Sequence, residues 1–457
     1  MRILGARSSL RKIGIVAPAR RLDHYLCHGL AVFCSSPFDE ASVLVLDGVA
    51  EAWTGALYRA ERFPVPALHC LGRLAYPDSL GLVYAAVTEH LGFRHNAEEG
   101  KVMAMAALGD DRFTASFGRV FQTDGLSVFV SRDFFDFGGA WTTRRFREAF
   151  FPPRDPSEDL RQEHFALARG LQESVEAACL SLASNLLEVT GTQDLCFTGG
   201  LALNPALNGT LAARSGCRRF FAFPAGGDAG AALGAALQRD VDPAWRLNHP
   251  FWGRRATQAE IRDAISAGGY AVISQGPASS SRAASLLAGG AIGAVFRGRA
   301  EMGPRALGHR SILADPRTPS TKDRLNRTVK RRLPFQPFAP AVLEPACSEF
   351  FPDGRDSPYM LRTVPVPLGV RGRLPAVVHS DGTARVQSVR KGDASGLSDI
   401  LESFGMETGL PVLLNTSLNR KGEPIADSPG DAIEIFRETE LDFLLLEDLL
   451  LTREAVR

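Results

Sequence analysis

Two short apolar runs enter glycine turns that open helices, and this repeated unit limits the fold more than any other feature of the chain. Leu195-Cys196-Phe197 leads into Thr198-Gly199-Gly200-Leu201-Ala202-Leu203-Asn204, and Phe220 to Phe223 leads into AGGDAGAALGAAL, which opens a helix of almost pure alanine. A strand that passes through a glycine turn into a helix belongs to an α/β sheet, and the turn leaves helical N–H groups free to face an anion or nucleotide. A third run, Ala291 to Phe296, enters FRGRAEMGPRALGHRSILADPR, residues 296–317, in which Arg297, Arg299, Arg305, Arg310 and Arg317 alternate with Gly298, Gly303, Gly308, Pro304 and Pro316. Each guanidinium is a planar fork for two oxygens, and glycine lets main-chain N–H groups come close, so the stretch suits a multiply charged oxyanion. Ala306-Leu307 and Ser311-Ile312-Leu313 between the arginines are packing residues that a solvated basic loop does not need.

A chain of 457 residues is long for one domain. DVDPAWRLNHPFWGRR, residues 240–255, breaks the periodicity with two prolines and divides the chain into units at 1–245 and 250–457. Ahead of it, strands are expected at IGIVAP (13–18), Ser42–Asp47 and Trp53–Arg59, helices at His24–Phe33, 79–92, Lys101–Leu108 and Glu163–Thr190, and a hairpin at Asp124–Trp141. Beyond it, strands are expected at Ala291–Phe296, Pro334–Val342, Leu361–Val366, Ala376–His379 and Val412–Asn415, with LDFLLLEDLLLTR as a single last strand. The 52 basic and 51 acidic residues leave a formal charge of +1, which disfavours nucleic acid as a partner. Seven scattered cysteines form no CxxC pair, so neither a disulfide frame nor a thiolate zinc site is expected and a reducing cytoplasm is the default. No uncharged apolar run reaches the roughly 18 residues of a spanning helix, and no membrane is expected. Residues 1–22 are basic and free of acids, a mix that can imitate a transit peptide, but IGIVAP reads as a first strand.

His24 and His28 stand at i and i+4, the spacing by which one helical face offers two imidazoles to a metal; ordinary core or surface histidines show it too. Asp47 ends the apolar run SVLVLD, where a carboxylate projects into the crevice at the end of an open sheet, and Asp228 sits at the start of the alanine-rich helix. Such a set of N and O ligands suits iron(II), zinc or manganese better than calcium. In the second half, VKRRLPFQPFAP, HSDGTARVQ and LLNTSLN place basic residues, amides and hydroxyls at bent strand ends, a pattern that favours one shared pocket.

EMGPRALGHRSILADPR together with VKRRLPFQPFAP, HSDGTARVQ, LLNTSLN and GGLALN resembles the ATP-dependent O-carbamoyltransferases of antibiotic and nodulation-factor biosynthesis, over about residues 20–452. The resemblance implies an α/β, actin-like first domain similar to the threonylcarbamoyl-adenosine synthase subunit. It implies a second domain, α+β with a twisted sheet, like threonylcarbamoyl-AMP synthase. The second would make carbamoyl-adenylate from carbamoyl phosphate and ATP with Mg, and the first would move the carbamoyl group to the hydroxyl of a small natural product. On this resemblance His24, His28, Asp47 and Asp228 hold one iron(II), zinc or manganese ion. Gly199, Gly200, Asn204 and Asn208 form the adenosine loop. Arg305, Arg310, Lys330 and Arg332 act on the phosphates, while His379, Arg385, Asn415 and Thr416 bind substrate or nucleotide.

The family pattern also includes a complete first lobe with a His-Asp pair ahead of the two histidines, whereas only residues 1–23 precede His24. A shortened lobe is therefore expected, with the acceptor base supplied by other residues, a second copy or a partner chain. Transfer to an amine and a non-catalytic nucleotide-binding scaffold are the alternatives.

Overall fold

The computed structural model describes residues 9–16, 20–238, 241–268 and 270–453. Helix α1 (His24–Ser35) opens the first half, with the Asp23 carboxylate accepting the Leu26 N–H at 2.8 Å as its N-cap. It is buried from His28 through to Ser35, so it runs through the interior rather than over the surface. Strands β1 (Glu40–Ala50), β2 (Trp53–Glu61) and β3 (Ala67–Ala75) form an antiparallel meander. Beyond β1, β4 (Asp194–Thr198) and β5 (Arg219–Ala222) add in parallel, giving the order β3-β2-β1-β4-β5. An actin-like lobe has this order. β1 is covered on both faces from Ala41 to Leu46, which is why its sequence is apolar without alternation. Helices α2 (Leu80–His90), α3 (Glu99–Ala106) and the long α4 (Gln162–Thr190) lie between β3 and β4; α5 (Pro205–Arg214) and α6 (Asp228–Ala236) follow β4 and β5.

The second half is a nine-stranded mixed sheet. Its strands are β6 (Ala271–Gln275), β7 (Gly293–Phe296), β8 (Arg310–Ala314), β9 (Ala339–Leu343), β10 (Arg362–Pro365), β11 (Thr383–Val389), β12 (Val412–Ser417), β13 (Phe443–Leu446) and β14 (Leu449–Thr452). They are ordered β6-β14-β13-β7-β8-β12-β9-β11-β10. The arginine-rich stretch is the connection from β7 to its antiparallel neighbour β8 at the middle of this sheet. The irregular segment between the halves is tied at both ends. Leu247 donates its N–H to the Ser35 carbonyl at the end of α1, while Met302 donates to Pro250 and Gly253 to Ala300 in the arginine-rich loop.

Several expectations are corrected. Residues 13–16 of IGIVAP form a turn and an extended end with Ile13, Ile15 and Val16 exposed, and 17–18 lie outside the described residues. Apolarity alone does not make a strand where no neighbouring strand pairs. Asp124–Trp141 is not one hairpin but parts of two ribbons, Phe121–Asp124 with Ser127–Val130 and Phe135–Asp136 with Trp141–Thr142. Pro334–Phe338 is turn and coil, because prolines at 334 and 337 withhold ladder donors, and the strand begins at Ala339. Ala376–His379 is not a strand; it ends in a turn in which the Gly382 N–H bonds the His379 carbonyl. The last apolar run is two strands, β13 and β14, folded back at Glu447, whose φ is 54°.

Candidate functional site

The first constellation is set by β1, β4 and α6 closing on one end of α1. The register pairs Val45 with Thr198, so Asp47 and the Gly199-Gly200 turn emerge side by side. Gly199 has φ +95°, and a Cβ there would stand 2.0 Å from the Leu46 carbonyl oxygen, so no other residue fits. The Asp47 carboxylate accepts the N–H groups of Gly48 at 2.8 Å and Gly200 at 3.2 Å. The second glycine turn joins the first, since the Gly199 N–H bonds the Gly226 carbonyl at 2.9 Å, and α6 begins two residues later with Asp228.

These elements bring together the four residues expected to hold a metal. His24 Nε2 lies 3.1 Å from His28 Nε2, 3.3 Å from Asp47 Oδ2 and 3.7 Å from Asp228 Oδ1. His28 Nε2 lies 3.6 Å from each of the same two carboxylate oxygens. All four donor atoms fall within 4.8 Å of one another, and among the described residues no other such group of His, Cys, Asp and Glu occurs. An ion with bonds of about 2.1 Å to four tetrahedral donors would need donor separations of about 3.4 Å, so the set fits one. The hydrogen bond to Asp47 holds the His24 imidazole above its ordinary value, while burial pulls His28 below it. Burial opposes the Asp47 charge, yet His24 and the two N–H groups hold its carboxyl below the usual carboxylate range.

The nucleotide-turn residues divide by role. Asn204 caps α5, accepting the N–H groups of Ala206 and Leu207 at 3.1 Å, and donates to Gln172 Oε1 at 2.8 Å. Asn208 is fully buried and donates to the carbonyls of Ala202 and Leu361, both at 2.7 Å, so it joins the two halves rather than facing a ligand.

The second constellation lies where the halves meet. Lys322, His379 and Arg385 share a cavity of about 320 Å³ with Gln172, Glu173 and Glu176 from α4. Burial, with Arg305 and Arg332 nearby, depresses the Arg385 guanidinium well below its ordinary value. Burial brings Arg305 and Arg332 to about 10 and, aided by Arg385 and Lys322, His379 to about 4. Lys322, Arg305, Arg332, His379 and Arg385 make no ion pair with a carboxylate among the described residues, and Nε of Arg305, Nε of Arg385 and Nε2 of His379 are buried without a partner. Glu173, Glu176 and Asp381 line the same cavity but pair with none of these five among the described residues, and desolvated donors left without a bonded carboxylate favour an anion.

The other expected residues are placed differently. Arg310, expected to act on phosphates, is fully buried over the Phe296 ring and donates to the carbonyls of Arg297, Gly298 and His309, with its Nε left without a partner among the described residues. It braces the loop. Lys330 is buried with its ammonium against the Ser417 carbonyl and hydroxyl and the Asn419 carbonyl and side chain, which fixes the end of β12. Arg332 bonds Asn326 and the Pro337 carbonyl over the Phe338 ring. Asn415 donates to the Ala306 carbonyl and Gln387, and Thr416 is buried opposite Ile312. Lys322, on the short helix Pro319–Leu325, was not legible in the sequence: a lone lysine among polar neighbours carries no signal until the chain is folded.

Comparison with known proteins follows the same division. The family model of the carbamoyltransferase N-terminus matches residues 3–237 and that of the carbamoyltransferase C-terminus residues 284–453. Nodulation protein NolNO of Sinorhizobium fredii is 36% identical over 452 residues, which cover 95% of this chain and 64% of that protein. Nodulation protein NolO of Bradyrhizobium diazoefficiens is 35% identical, with 94% of this chain and 79% of that protein covered. An uncharacterized protein of Synechocystis is 33% identical, with 95% and 76% covered. A crystal structure of HypF from T. kodakarensis matches at a TM-score of 0.25 and 14% identity over 51% of this chain and 38% of that one, too loose to bear on the fold. With both halves matched in order along the sequence, the chain belongs to the carbamoyltransferase family.

Proposed function

We propose that the chain activates carbamoyl phosphate with ATP and passes the carbamoyl group to a hydroxyl of a small acceptor. The observation that carries this reading is the half-buried cation cluster of Lys322, Arg305, Arg332 and Arg385, beside the unpaired His379 Nε2. Two phosphorylated substrates meeting in one site need that much positive charge, and the cavity's own carboxylates, Glu173, Glu176 and Asp381, form no ion pair with these cations among the described residues. Water cleaves carbamoyl phosphate to carbamate and phosphate. A carbamate oxygen then forms a bond to the α-phosphorus of ATP, whose oxygen bridge to the β-phosphorus breaks, and pyrophosphate leaves. The arginines and Lys322 hold the phosphate oxygens, and Mg accompanies the ATP. In transfer, the acceptor oxygen bonds the carbonyl carbon of carbamoyl-adenylate, the bond to AMP breaks, and the acceptor proton is released.

Gly199, Gly200 and Asn204 would receive the adenosine at the first half. His24, His28, Asp47 and Asp228 would hold one iron(II), zinc or manganese ion, which supplies Lewis acidity there when bound. That several relatives are named nodulation proteins supports secondary metabolism as the setting. The test is ATP–pyrophosphate exchange. Exchange that depends on carbamoyl phosphate supports activation, and its absence with every metal tried would refute it. Product mass with hydroxyl and amine acceptors then assigns the transfer.

A further inference from the structure

The loop that carries Arg305 is held from within by a carboxylate of its own. One oxygen of Glu301, Oε1, accepts three main-chain N–H groups, from Leu307 at 2.7 Å, His309 at 2.9 Å and Arg310 at 3.2 Å. Successive N–H groups converging on one oxygen form an anion-binding nest, and in this chain the side chain of Glu301 fills it. The carbonyls of the same turn are fixed from the opposite side. Asn415 donates to the Ala306 carbonyl at 3.2 Å and Gln387 to the Leu307 carbonyl at 2.9 Å. Glycines close both ends: Gly303, at φ +87°, packs where a Cβ would meet the Pro224 carbonyl oxygen at 2.1 Å, and Gly308, at φ +123°, abuts Ser395 and Leu397.

The main-chain N–H groups of Leu307, His309 and Arg310 and the carbonyls of Ala306 and Leu307 are thus engaged, while the guanidinium of Arg305 is largely unpaired. Among the described residues its one hydrogen bond runs from Nη2 to the Leu203 carbonyl of the first half at 3.1 Å, and its Nε is buried without an acceptor. An arginine useful to an anion must be kept both unpaired and fixed. A flexible loop would let it fold onto Glu301, the nearest acid in its own stretch. With the Glu301 carboxylate engaged by three N–H groups, the loop is rigid and the charge is neutralised locally, away from the guanidinium.

We propose that Glu301 is the positioning residue for Arg305, presenting it as an anion ligand by holding the 306–310 turn in a single conformation. The proposal rests on the reading of Arg305 as part of the anion site. Glu301→Gln keeps the shape but removes the charge from the nest. Binding of inorganic phosphate to the full chain, followed by calorimetry, is expected to weaken by about tenfold, roughly the worth of one charge-assisted bond. KM for carbamoyl phosphate rises by a similar factor while kcat stays within about twofold, a split that a partly unfolded enzyme would not give. In an Arg305→Ala background the same substitution has no further effect on phosphate binding, since it acts only through Arg305. Glu301→Asp keeps the charge but withdraws it by a methylene and carries the same expectation, should the glutamine variant fail to fold. Glu301 variants that bind phosphate as the parent does, or whose penalty persists undiminished without Arg305, overturn the proposal. Wild-type binding by Arg305→Ala alone overturns the reading beneath it as well, and so tells the two failures apart.

Discussion

Gly234 of α6 lies against Cys27 of α1 so closely that a Cβ on it would stand 1.7 Å from the Cys27 carbonyl oxygen. This contact sets the distance between the helix bearing His24 and His28 and the helix that begins at Asp228. Gly234→Ala must push the helices apart, at a cost of about 1–3 kcal/mol for overpacking, and the displacement falls on the Asp228 ligand. Weaker zinc or iron(II) binding, by tenfold or more, is expected together with a lowered melting temperature. Unchanged metal affinity would mean that Asp228 is not a ligand or that the helices slide without separating.

The metal-type tetrad comes from the first half and the cation cluster from the second, so their chemistry should separate. His28→Ala, or removal of metal by a chelator, is expected to abolish carbamoyl transfer and leave carbamoyl-phosphate-dependent ATP–pyrophosphate exchange within about threefold of the parent. His28 is nearly fully buried, so stability should be followed in parallel. Loss of both half-reactions in a variant that remains folded would refute two independent centres.

Lys322 and Arg310 are both basic but should fail in opposite ways. Lys322 has no ion pair among the described residues and faces the cavity. Lys322→Met should leave the melting temperature nearly unchanged and reduce exchange by tenfold or more. Arg310 is buried among carbonyls that lose their donors when it is removed, so Arg310→Met should cost about 2–4 kcal/mol of stability. Denaturant titration and exchange assays on the pair decide the assignment.

How much of this was legible in the sequence follows from what local pattern can encode. The metal-type tetrad was readable, because His24 and His28 share a helical face and Asp47 and Asp228 lie at the edges of recognisable elements. Gly199 and the Gly226 to Gly234 turn were also visible, since close backbone approach leaves only glycine. Which arginines of residues 296–317 face outward was not. Arg305 and Arg310 sit five residues apart in the same composition, and their difference arises from Phe296 and a ring of carbonyls around one, and the Leu203 carbonyl of the other half beside the other. Lys322 and Glu301 were missed for the same reason: their roles depend on tertiary neighbours.

His90 carries a pH dependence that is independent of either site. It is 3% exposed, with Nε2 at 3.0 Å from the Phe151 carbonyl and Nδ1 at 3.3 Å from the Thr142 hydroxyl. Its ring also meets that of Phe146 edge-on. Burial pushes its pKa down from the ordinary 6.5 to about 4. The unfolded chain therefore takes up a proton between these values that the folded chain refuses. Its contribution to stability is complete above pH 6.5 and is lost as the pH falls toward 4. The full effect is on the order of 3 kcal/mol. His379, also brought to about 4, adds to the same window, so the measurement must be a difference. Denaturant midpoints of the parent and of His90→Gln should be furthest apart at pH 7.5 and converge toward pH 4.5, because only the parent loses the neutral-imidazole advantage. Parallel curves across that range would show that His90 is protonated as readily in the folded chain as in the unfolded one.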